Sequence, residues 1–151
     1  MTVAERLAEL GLQLGGYKPA AQYVGAVRAG DLVFVSGAGP SLLAGGFITG
    51  KVGEDVSLEQ GVEAARLCAI AGLSALQAEI GDLDKVTRVV KLLGMVNSAP
   101  GFVQQPAVID GASNRLVSLF GDRGRHARSA VGMAELPFNI AVEVEMVVQV
   151  A

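Results

Sequence analysis

The chain has 151 residues with one cysteine, one histidine and no tryptophan, and each scarcity excludes a class of protein. Cys68 alone cannot build a disulfide framework, and with His126 as the single histidine no Cys/His set exists to hold zinc. Aromatic residues amount to 5%, which leaves few stacking platforms for single-stranded nucleic acid. The net charge of −3 and the pI of about 5.1 lack the basic surplus that a phosphate backbone attracts. No uninterrupted apolar run approaches a membrane span, and the first ten residues carry charges where a secretion signal has its apolar core. The expectation is a cytoplasmic chain without metal or cofactor that engages neither membrane nor nucleic acid.

What is present is apolar: 51% hydrophobic residues against 18% charged, with a mean hydropathy of +0.46. A small domain exposes a large share of its surface, so this excess predicts apolar area covered by further copies of the chain. Residues 1–151 read as one domain with its own core.

Periodicity assigns the elements. Thr2 and Glu5 form a capping box, so a short helical extension is expected within residues 1–15, up to Gly11 and before the break at Gly15-Gly16. Tyr23 to Arg28 and Leu32 to Ser36 read as strands joined at Ala29-Gly30-Asp31, with Gly37-Ala-Gly-Pro40 ending the second. A short extended piece is expected at Phe47-Ile48-Thr49. Ser57 and Gln60 form a second capping box ahead of a long amphipathic helix that Gly81 stops. Val86 to Val96 is apolar on both faces apart from Arg88 and Lys91, as in an interior strand. Pro106 to Phe120 returns to helical spacing; Arg128 to Ala134 and Ile140 to Val150 are two further strands. The order β-β-α-β-α-β-β predicts an α+β fold with helices on one face of a mixed sheet.

Few residues could carry chemistry. Gly37-Ala-Gly lacks the third glycine and the helix of a dinucleotide site, and no nucleophile elbow is present. Cys68 reads as a core residue, His126 as a solvated loop residue, and Arg123 and Arg125 as a solvated basic loop. Arg128 differs because it opens an apolar strand, where a guanidinium needs a partner. Glu143 and Glu145 lie on one strand face, roughly 7 Å apart. The break Glu135-Leu136-Pro137 lies midway between Arg128 and Glu143, so a hairpin folded there would bring the two together within a register step or two. Tyr23 by itself is an ordinary strand aromatic.

The run Arg128-Ser-x-Val-x-x-Ala-x-Leu-Pro followed by Val142-Glu-Val-Glu145 resembles the C-terminal signature of the YjgF/RidA (reactive intermediate deaminase) family. Val33-Phe-Val-Ser36-Gly37 and Gln22-Tyr23-Val24 are similar to two of its other segments. Ala130 stands where many members have cysteine, and Ala38 where they often have glutamine. The resemblance implies a chorismate-mutase-like fold and a homotrimer with clefts between subunits. It implies hydrolysis of enamine or imine acids such as 2-aminoacrylate to 2-keto acids and ammonia. On that reading Arg128 binds the substrate carboxylate and Glu143 handles the attacking water. Tyr23, Ser36, Gly37 and Ala130 would line the site, and Glu145 would be structural. A non-catalytic trimer binding small carboxylates, and the endoribonuclease or translation-inhibitor activity named for parts of the family, are the alternatives.

Overall fold

The computed structural model describes residues 1–15 and 21–151; Gly16 of the expected Gly15-Gly16 break lies outside them. The elements follow as α1 (Val3–Glu9), β1 (Ala26–Ala29), β2 (Leu32–Ala38), α2 (Leu58–Ile80), β3 (Val86–Asn97), α3 (Gln105–Phe120), β4 (Ala127–Met133) and β5 (Val142–Val150). Both capping boxes form, at Thr2 with Glu5 and at Ser57 with Gln60. Gly81 and Gly121 end α2 and α3 with positive φ. Among the described residues no helix is long and apolar enough to cross a membrane.

The five strands form one mixed sheet in the order β1-β2-β5-β3-β4, antiparallel except for β3 and β4. Strand β5 shows why one face is covered: Val142, Val144, Met146, Val148 and Val150 are buried, whereas Glu143, Glu145, Val147 and Gln149 alternate with them. Helices α2 and α3 cover the first face, and Leu73, Leu76, Leu92, Ile109 and Leu116 are fully buried between the layers. The helices approach so closely that a Cβ on Gly111 would collide with the Val62 carbonyl. The N-terminal helix docks by burying Val3 and Leu7, while Arg6 Nη1 donates to the Leu119 carbonyl at 3.2 Å.

Several expectations are corrected. The first strand starts at Ala26, not Tyr23, because residues 21–23 bend; ahead of Ala26 the Gly25 carbonyl accepts from Ser36 N and the Val24 carbonyl from the Ser36 hydroxyl, both at 2.8 Å. Strand β2 runs on past Gly37 through a register shift between Val35 and Ala38. Phe47 and Thr49 make only isolated bridges, to Ser41 and Ile140.

The largest correction concerns the expected hairpin of the last two strands, since β4 and β5 are not neighbours. Helix α3 returns β4 parallel to β3, and β5 then enters between β3 and β2. The connection of residues 134–141 therefore straddles the end of β3, where Asn97, 1% exposed, ties it down. Asn97 Nδ2 donates to Asn139 Oδ1 and the Ile140 carbonyl, both at 3.1 Å, and its backbone N–H donates to the Ala141 carbonyl at 2.9 Å. Lys51 Nζ donates to Asn97 Oδ1 at 3.0 Å and to the Ala134 carbonyl. The crossing requires a left-handed backbone at two non-glycine residues, Phe138 (φ 58°) and Asn139 (φ 57°).

Candidate functional site

The register fixes where the two charged candidates lie. Arg128 pairs with Leu92, which pairs with Met146, and Glu143 is three residues from Met146 along β5. Two strand spacings across and three residues along separate the two backbones by roughly 14 Å. They also point to opposite faces. Arg128 shares the helix-covered face with Leu92 and Met146; Glu143 alternates with the buried valines of β5 and faces away.

Glu143 lines a pocket of about 580 Å³. One wall is a flank of α2, with Leu67, Ile70, Ala71 and Ser74 at helical spacing. The others are the bulged end of β2 at Gly37–Gly39, the loop residues Leu42, Leu43 and Phe47, and the straddling residues Pro137, Phe138 and Ile140. Tyr23 also lines it and is half exposed. The carboxyl sits so close to β2 that a Cβ on Gly37 would come within 2.6 Å of Glu143 Oε2, so any larger residue there would push the carboxyl aside. Burial raises the Glu143 pKa above its ordinary 4.5, and the nearby Glu145 carboxylate adds to the effect. No ion pair involves Glu143 among the described residues. A half-buried carboxyl that holds its proton longer than usual, in a largely apolar pocket, is suited to exchange a proton with a bound small molecule.

Ser36 turns away from this pocket. Its hydroxyl donates to the Val24 carbonyl at 2.8 Å, and it lines a separate hollow on the uncovered sheet face with Phe34, Lys91, Ser129 and Glu145. Ala130 packs against the core on the same face as Arg128. The single chain thus brings together Glu143, Tyr23 and Gly37, and leaves Ser36, Arg128 and Ala130 apart from them.

Arg128 emerges toward α3, where Nη1 donates to Asp110 Oδ1 at 2.8 Å and Ser113 Oγ at 3.2 Å. Ser113 Oγ lies 2.9 Å from His126 Nε2, and His126 Nδ1 lies 2.6 Å from the Gly124 carbonyl. His126 is therefore not the solvated loop residue expected. A carbonyl only accepts, so Nδ1 carries the hydrogen and Nε2 accepts from Ser113. Burial holds His126 below its ordinary 6.5, and the Arg128 and Arg88 charges press the same way against the Gly124 hydrogen bond. Arg123 is tied down too, donating to the Val86 carbonyl at 2.6 Å and lying 5.9 Å from the Phe120 ring centroid. Arg125 stays exposed.

Sequence reasoning missed Asp110 and Ser113. Their signal was present, as two polar residues three apart on one flank of an amphipathic helix.

Comparison with known proteins agrees with this architecture. The family model described as "YjgF/chorismate mutase-like, putative endoribonuclease" matches residues 2–150. The protein TCP17 of Trypanosoma cruzi is 47% identical over 149 residues, spanning 97% of this chain and 93% of that protein. The crystal structure of Atu1372 from Agrobacterium tumefaciens, titled as a protein of unknown function, superposes with a TM-score of 0.91. It is 46% identical, with 99% of this chain and 94% of that one covered. A crystal structure from Shewanella oneidensis, titled as a putative endoribonuclease, superposes with a TM-score of 0.95 at 27% identity, covering 99% and 100% of the two chains. The chain belongs to the YjgF/chorismate-mutase-like family.

Proposed function

We propose that the chain is a hydrolytic deaminase of reactive enamine and imine acids of the 2-aminoacrylate type, releasing 2-keto acids and ammonia. The observation that carries this reading is Glu143, a half-buried carboxyl with a raised pKa at the wall of a small-molecule pocket. 2-Aminoacrylate tautomerises to an imine whose carbon is already electrophilic once the nitrogen is protonated, so hydrolysis needs only a positioned water and proton transfer. Glu143 takes a proton from the water as its oxygen bonds to the imine carbon. It returns that proton to the nitrogen; the C–N bond breaks as the hydroxyl proton passes through Glu143 to the departing ammonia, and a ketone and ammonium remain.

Arg128 is the anchor for the substrate carboxylate, through a bidentate guanidinium contact. Because Arg128 and Glu143 face opposite sides of one sheet, a small substrate touching both lies between two copies, Arg128 coming from one and Glu143 from the other. This agrees with the subunit-interface clefts of a homotrimer and with an uncovered sheet face on which Phe34 is 49% exposed and Val27 52%. No membrane or nucleic-acid partner enters the reading, which sets the chain in the cytoplasm beside the dehydratases that release 2-aminoacrylate-type enamines.

The test is to add the purified chain to a serine or threonine dehydratase reaction and follow keto-acid release. Acceleration by the wild-type chain that Glu143→Gln abolishes is expected. No acceleration, or equal acceleration by both, would refute the proposal; RNA cleavage by the same preparation that survives high salt and depends on Glu143 would replace it.

A further inference from the structure

The cluster around Arg128 has a polarity of its own. Arg128 Nη1 donates to both Asp110 and Ser113; Ser113 passes its hydroxyl proton toward His126, and His126 donates to Gly124. The chain fixes the guanidinium in one orientation. Its other edge is little used: Nη2 has only a 3.4 Å contact with the Pro106 carbonyl, and Nε has no hydrogen-bond partner among the described residues. The Arg128 side chain is 23% exposed and that of Asp110 58%. With Asp110 more than half exposed, solvent screens the pair from that side, and holding the fold is an incomplete reason for it. A positive group with an open bidentate edge beside a solvent-accessible negative group matches a ligand that carries the opposite charges equally close together.

We propose that Asp110 is a specificity-determining residue of the imino-acid site. The substrate carboxylate takes the Nε/Nη2 edge of Arg128, and the protonated nitrogen on the adjacent carbon donates to the outer oxygen of Asp110. The inference rests on the deaminase reading for the identity of the substrate, but its geometry is independent of Glu143. It also accounts for product release. Hydrolysis replaces the nitrogen donor by a carbonyl oxygen, and an acceptor held against the Asp110 carboxylate is repelled, so the 2-keto acid leaves where the iminium was held.

The experiment compares stable probes on the full chain in its native assembly: 2-aminobutyrate as a zwitterion and 2-oxobutanoate as the product-like anion, by isothermal titration. Wild type is expected to prefer the zwitterion by on the order of 10- to 100-fold, the range of one charge-assisted hydrogen bond. Asp110→Asn still accepts from Arg128 but presents an amide donor, so it should lose or invert that preference; Asp110→Glu should keep its sign. An unchanged ratio in Asp110→Asn, or no binding of either probe to wild type, overturns the proposal. Parallel dehydratase assays separate the two readings. Charge selectivity without acceleration sinks hydrolysis and leaves the role of Asp110 standing, whereas acceleration with unaltered selectivity in Asp110→Asn does the reverse.

Discussion

Glu143 is held at a cost. Its pKa lies above 4.5 in the folded chain, because burial and Glu145 disfavour the charged form. A carboxyl with a raised folded pKa binds its proton more tightly in the native state, so its contribution to stability falls as pH rises from about 4.5 through the folded value. Glu143→Gln removes that loss. Thermal melts should show the variant gaining on wild type at pH 8 relative to pH 4, and a gain confined to low pH would contradict the burial argument. The same substitution should lower the kcat/KM of imine hydrolysis by roughly 100- to 10,000-fold, the usual span for a general acid/base. Stability improved by removing the group that supports activity marks a functional site rather than a structural ion pair.

At the scale of elements, Asn97 makes the pocket wall possible. The segment 134–141 crosses the end of β3 with two residues at positive φ, and Asn97 holds that crossing through Asn139, Ile140 and Ala141. Asn97→Ala leaves the Ile140 carbonyl and the Lys51 ammonium without this partner. Chemical denaturation should register a loss of about 1–3 kcal/mol. Activity should fall further than stability alone predicts, because Phe138 and Ile140 line the pocket; a variant with normal turnover would show that the crossing does not shape the site. The elements themselves were legible in sequence, since the capping boxes at Thr2 and Ser57 and the β-branched alternation of β5 are local signals. The sheet order was not. A hairpin and a crossing over one strand use connections of similar length, and the deciding features are Asn97 at the end of β3 and the parallel return through α3. Glu143 with Gly37 could be anticipated from sequence resemblance, but the packing of the Glu143 carboxyl against Gly37 accompanies the β2 bulge, which no local pattern encodes.

The whole molecule raises a question of which copy supplies which group. Within one chain Arg128 lies on the helix side of the sheet beside Asp110, and Glu143 alternates to the other side against Gly37, roughly 14 Å away by strand spacing. If catalysis needs both, the functional unit is a pair of copies, and mixing two inactive variants tests this directly. Arg128→Ala and Glu143→Gln, unfolded together at equal concentration and refolded, distribute at random among assemblies. A site drawing Arg128 from one copy and Glu143 from another is intact when the first copy is the Glu143→Gln variant and the second the Arg128→Ala variant. That occurs at about one quarter of sites, so activity should return to about one quarter of wild type from near zero in either parent. If both groups came from the same copy, every site would lack one of them and mixing would restore nothing. Phe34→Glu, which charges the exposed apolar sheet face, should reduce the assembly to monomers by light scattering and abolish turnover with Arg128 and Glu143 untouched. Rescue on mixing together with loss on dissociation would fix the site between copies of the chain, and an active monomer would place it within one.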